Sequence, residues 1–111
     1  MSGKLAPKLW VSSLVRRADQ AGEFAAVLKK GDETAGQVLL LARRRSGMMQ
    51  VFTRTLNESG DYSWTVAVEV DEENITKVNE YVERQMRFDP DLWVVELNTE
   101  NPERFVDDEL I

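Results

Sequence analysis

Cysteine and histidine are both missing from these 111 residues. Their absence excludes thiol chemistry, zinc sites of the Cys/His kind, haem held by histidine and every nucleophile that depends on a histidine base. A disulfide-stapled secreted scaffold is excluded as well. Long apolar stretches are also lacking: none exceeds five residues, as in VLLLA from Val38 to Ala42, against the roughly 20 that span a bilayer. The opening MSGKLAPKLW holds no apolar signal region, so a soluble cytoplasmic protein with no membrane contact is expected. Neither a P-loop nor a dinucleotide-binding glycine pattern occurs, and no cofactor is expected.

What is present suffices for one domain. A chain of this length buries roughly 65% of its unfolded surface and needs no metal or disulfide to fold. The net charge of −6 is unevenly spread: residues 1–56 carry ten Lys/Arg against four Asp/Glu, and residues 57–111 carry four against sixteen. The total disfavours nucleic acid and anionic membranes as partners, and the simplest arrangement packs the two halves side by side.

In PKLWVSSLVRRADQAG, apolar residues at Trp10, Leu14 and Ala18 make one helical face, with Pro7 in the first turn and Gly22 as the stop. Residues 24–30, 37–44 and 48–55 suit strands, separated by the glycine-bearing breaks GDETAG and RSG that read as hairpins. YSWTVAVEV alternates, with Trp64, Val66, Val68 and Val70 on one face. DEENITKVNEYVERQM predicts an amphipathic helix capped by Asp71, with Ile75, Val78, Val82 and Met86 inward. Residues 92–97 predict a last strand. The expectation is an α+β domain over residues 1–98: an N-terminal helix, a four-stranded antiparallel meander, a second amphipathic helix and a final strand, with both helices on one face of the sheet. Residues 99–111 form an acidic tail, a short helix or disordered. The predicted core is Trp10, Leu14, Trp64, Val66, Val68, Ile75, Val78 and Val82.

The stretch RFDPDLWVVEL sets Asp89 and Asp91 around Pro90. Two carboxylates at that spacing can bind a divalent metal, with Glu96 as a third donor further along the strand. Asx-Pro is also a common turn starter whose carboxylate bonds to backbone N–H groups two residues on, and the structural corner is the favoured reading. This stretch, with LWVSSLVRR near the start and GDETAG between strands, resembles an uncharacterised alphaproteobacterial family known only as a domain of unknown function (number fourteen ninety-one). The similarity spans roughly residues 9–96, and its matching positions are Trp10, Arg16, Arg17, Gly31, Gly36, Phe88, Asp89, Pro90, Asp91 and Trp93. The resemblance implies a small intracellular bacterial protein and carries over no catalytic residue.

Three function classes remain. A non-enzymatic interaction module, binding a protein partner or itself, leads. Residues 92–97 are apolar on both faces, which means burial on both sides or a dimer contact, and Trp93 is the candidate partner-binding anchor. A divalent-metal enzyme would use Asp89, Asp91 and Glu96. A weak nucleic-acid binder would use Lys30, Arg43, Arg44, Arg45 and Arg54 on neighbouring strand ends, although alternation sends Arg43 and Arg44 to opposite faces.

Overall fold

In the computed structural model, which describes residues 5–106, helix α1 runs from Pro7 to Gln20 and buries Trp10, Val11, Leu14 and Ala18. Gly22, with φ +74°, ends it: Gly22 N–H donates to Asp19 O and Glu23 N–H to Ala18 O, a Schellman closure that needs a left-handed residue. Strands β1 (Phe24–Lys29), β2 (Val38–Arg43), β3 (Met49–Leu56) and β4 (Tyr62–Val70) follow. A 3-10 turn over Glu72–Asn74 then leads into α2 (Ile75–Phe88), with Asp71 Oδ1 accepting from Asn74 Nδ2 at 2.8 Å. Strand β5 (Trp93–Asn98) and the short α3 (Glu103–Val106) complete the described residues.

The α+β class holds, and its wiring differs from the expected meander. The sheet has five strands in the order β1-β5-β2-β3-β4, with β5 antiparallel to β1 and parallel to β2. GDETAG therefore does not close a hairpin. It carries the chain over the start of β5, which occupies the slot between β1 and β2. The segments β2, β3 and β4 do pair antiparallel in sequence order.

The helices lie on opposite faces, not one. Trp10, Val11, Leu14 and Ala18 of α1 share a core with Val38, Leu40, Phe52, Trp64, Trp93, Val95 and Leu97, and with Phe105 and Val106 at α3. Val78 of α2 shares a second core with Leu39, Leu41, Val51, Leu92 and Val94. A sheet covered on both faces explains why VLLLA and LWVV are continuous apolar runs: their strands are buried twice. It also corrects the reading of YSWTVAVEV. The register slips by one residue at Ala67, since Phe52 pairs with Val66 and Val51 with Val68. One extra residue exchanges the faces, so Trp64 enters the α1-side core while Val68 and Val70 lie against the α2 side. Val66, expected in the core, is 47% exposed.

Residues 99–106 turn back under α1, and the rest of the acidic tail, 107–111, lies outside the described residues. Arg17 donates from Nη2 to Phe105 O at 3.3 Å and sits 5.5 Å from the centre of the Phe105 ring. Among the described residues, no helix is long and apolar enough to cross a membrane.

Candidate functional site

The corner at residues 89–91 places β5. Asp91 N–H donates to Asp89 Oδ1 at 3.0 Å, the Asx bond expected of an Asp-Pro turn. The GDETAG loop lies across it: Asp32 N–H donates to Asp91 O at 3.0 Å, and Trp93 Nε1–H to Asp32 O at 2.6 Å. Lys29 Nζ donates to Pro90 O at 2.8 Å and to Leu92 O at 2.9 Å. Gly31 is needed because a Cβ there would stand 2.2 Å from Asp91 O and 2.6 Å from Trp93 Cδ1. Asp32 itself is tied: its Oδ2 accepts from Ala35 N–H, Thr34 N–H and the Thr34 hydroxyl, and these bonds hold its carboxyl below the usual range. Gly31, Gly36, Asp89, Asp91 and Trp93, separate in the sequence, thus meet in one clasp.

That clasp does not gather carboxylates. Glu96 lies inside β5, three residues past its start at Trp93 and so roughly 10 Å along the strand from that point, whereas Asp91 belongs to the turn before it. Among the described residues, no group of three or more acidic side chains is placed to hold a metal ion. Trp93, the candidate anchor, is 3% exposed, packed beneath α1 with its N–H engaged, and so serves the fold rather than the surface.

The predicted cations separate. Arg54 is wholly buried, its guanidinium 4.0 Å from the Tyr62 ring centre and 5.4 Å from that of Trp10, with Nη2 donating to Leu5 O at 2.8 Å. It shares the face of Phe52, two residues before it, and this alternation was the signal for its burial. Lys30 follows β1 at one end of the sheet, beside Val27 and Trp93. Arg43, Arg44 and Arg45 stand at the other end, where β2 and β5 finish, lining a cleft of about 360 Å³. Glu23, Glu72 and Glu100 line the same cleft, so its charges balance instead of forming a basic funnel. Arg44 Nη2 pairs with Glu103 at 3.1 Å, and Arg45 N–H donates to the Glu100 carboxylate.

The feature that sequence reasoning passed over is the outer edge of β1. Among the described residues this strand pairs with β5 alone, and no strand borders its other side. Phe24 is 52% exposed, Val27 43% and Leu28 55%. Natural sheets usually blunt such edges with a charged side chain or a bulge. Here the one charge within the strand, Lys29, is turned inward onto Pro90 O and Leu92 O. The bulge at Leu28 falls near the strand's end and leaves Phe24 to Val27 in regular register. The signal was the unalternating run FAAVL, and its meaning depends on β5 taking the inner slot.

The family model described as "Protein of unknown function (DUF1491)" matches residues 5–107. A crystal structure of a DUF1491 family protein from Caulobacter crescentus is 35% identical, with 97% of this chain and 98% of that chain covered and a TM-score of 0.79. An NMR structure of a DUF1491 family protein from the same organism is 35% identical, with 97% of each chain covered and a TM-score of 0.81. The solution structure of protein Atu0922 from A. tumefaciens is 32% identical over 93% of this chain and 92% of that one, with a TM-score of 0.77. No curated protein matches the chain.

Proposed function

This chain belongs to the DUF1491 family, a family of unknown function, and we propose that it is a non-enzymatic interaction module that accepts an extended strand of a protein partner along β1. One observation carries the reading: among the described residues the outer edge of β1 pairs with no strand, while Phe24, Val27 and Leu28 are exposed beside it. Strand addition needs this combination, because the free N–H and C=O groups supply affinity and the flanking apolar side chains supply selectivity. The sequence supports the non-enzymatic half, with no histidine, no cysteine and no phosphate-binding loop. The carboxylates of the corner are not gathered as the metal-enzyme reading needs, and the arginines of the cleft stand among three glutamates, apart from Lys30 and the buried Arg54.

The test is affinity capture from a bacterial lysate by three forms of the full chain: wild type, Phe24→Lys/Leu28→Lys, and Val66→Lys on the opposite edge. All three sites are exposed, so equal thermal midpoints are expected. A protein retained by wild type and by Val66→Lys, and held at least about tenfold less by the double variant, is the expected result. Equal retention by all three forms removes the reading.

A further inference from the structure

We infer that the strand β1 accepts is β1 of a second copy of this chain, in an antiparallel two-fold dimer that joins two five-stranded sheets edge to edge. This rests on the strand-accepting reading above and names its partner. The argument is the order of residues along the edge. From 23 to 30 they run Glu-Phe-Ala-Ala-Val-Leu-Lys-Lys: an acid, an apolar middle and two lysines. A two-fold axis perpendicular to a sheet reverses an edge strand against itself and sets one residue opposite its own copy. With Ala26 at that centre, Phe24 lies beside Leu28 of the other copy and Ala25 beside its Val27. The two most exposed apolar side chains of the strand thereby cover each other at both ends of the ladder. The same register brings the Glu23 end of each copy to the Lys29–Lys30 end of the other. Counted out from Ala26, Glu23 stands opposite Lys29 of the other copy with the exposed Lys30 next along, so an acidic end meets a lysine end twice per dimer. Parallel pairing would set Glu23 against Glu23 and lysine against lysine.

The other edge fails the same test. Glu58 and Asp61 precede β4, and Glu69, Asp71, Glu72 and Glu73 lie at or just past its end. Reversed on itself, that edge sets acids against acids at both ends. Charge thus selects β1 for self-pairing and protects β4 from it. A short ladder, irregular at the Leu28 bulge and flanked by three exposed apolar side chains, falls among small interfaces, below about 1,200 Å² in total, so dissociation between roughly micromolar and sub-millimolar concentration is expected.

The experiment is sedimentation velocity on the full chain from about 10 µM to 1 mM, with amide hydrogen exchange read at both ends of that range. The expected result is a mass rising from one chain towards two, with the amides of β1 that face away from β5 gaining protection in parallel. Phe24→Lys/Leu28→Lys should raise the dissociation constant at least about tenfold. Glu23→Lys or Lys30→Glu alone should raise it about threefold, and the two together should restore it. A mass of one chain throughout, with fast outward amides, overturns the second copy as occupant and leaves the open edge intact. Outward β1 amides protected where the mass is one chain overturn both readings, because the edge is then not open. A dimer unaffected by the Phe24→Lys/Leu28→Lys change places the contact elsewhere and also overturns the inference.

Discussion

The two faces of the sheet are held together by different means. Beneath α1 the contacts are few, large and interlocked: the Trp10 and Trp64 rings lie 4.8 Å apart, Phe52 meets Trp64 edge-on at 6.5 Å, and the buried Arg54 guanidinium packs on Trp10 and Tyr62. Beneath α2 the contacts are aliphatic and partial. Val78 is the helix's one fully buried side chain, while Ile75, Tyr81, Val82 and Met86 are half-buried and Phe88 is 79% exposed. A core of interlocking rings specifies one arrangement, because each large side chain leaves a hole that its neighbours cannot fill. A row of half-buried aliphatics contributes area without demanding a shape. The α1 face therefore sets the geometry of the molecule, and the α2 face closes it.

The largest expected effect breaks that contrast directly. Trp64→Ala should lose about 3–5 kcal/mol in urea unfolding, whereas Val78→Ala, which removes two methyl groups, should lose about 1–2 kcal/mol. Equal losses would mean that the faces are equivalent. A second substitution acts where they meet. The clasp feeds Leu92 to the α2-side core and the adjacent Trp93 to the α1-side core. Gly31→Ala forces a Cβ against the Asp91 carbonyl and the Trp93 ring, and overpacking of this kind costs about 1–3 kcal/mol. A thermal midpoint lowered by several degrees is expected, with packing signals from both faces disturbed together. A loss felt on the α1 side alone would show that β5 is seated by its tryptophan and not by the clasp.

How much of this was legible depends on how local each cause is. Helix α1, with Pro7 inside its start and Gly22 past its end, was written in adjacent residues. So was the Asp89-Pro90-Asp91 corner, whose Asx bond spans two positions. The place of β5 was not, because the contact that fixes it joins Trp93 to Asp32, 61 positions earlier. With β5 unplaced, GDETAG looked like a hairpin, and which strands close the sheet at its two edges stayed open. The single inserted residue at Ala67 had a similar effect: a clean period of two implied one buried face, although pairing with β3 divides the strand between both. Arg54 was read among the basic residues and not as the alternate of Phe52.

The smallest expected effect concerns the loop that closes the α1 face over Trp93. The Asp32 carboxylate faces water, yet three donors hold it, first the Ala35 N–H, then the N–H and hydroxyl of Thr34. These bonds favour the charged form and lower its pKa in the folded chain. A carboxyl depressed on folding adds stability above its unfolded value, about 3.9, and that contribution is lost as the pH falls through the folded value. The gap in urea midpoint between wild type and Asp32→Ala should therefore be widest above about pH 5 and narrow below about pH 4. Val78→Ala should show no such narrowing, since no titrating group is changed. A gap for Asp32→Ala that persists unchanged to about pH 2 would mean that the side chain holds the loop equally well when protonated, with the carboxylate's charge adding nothing.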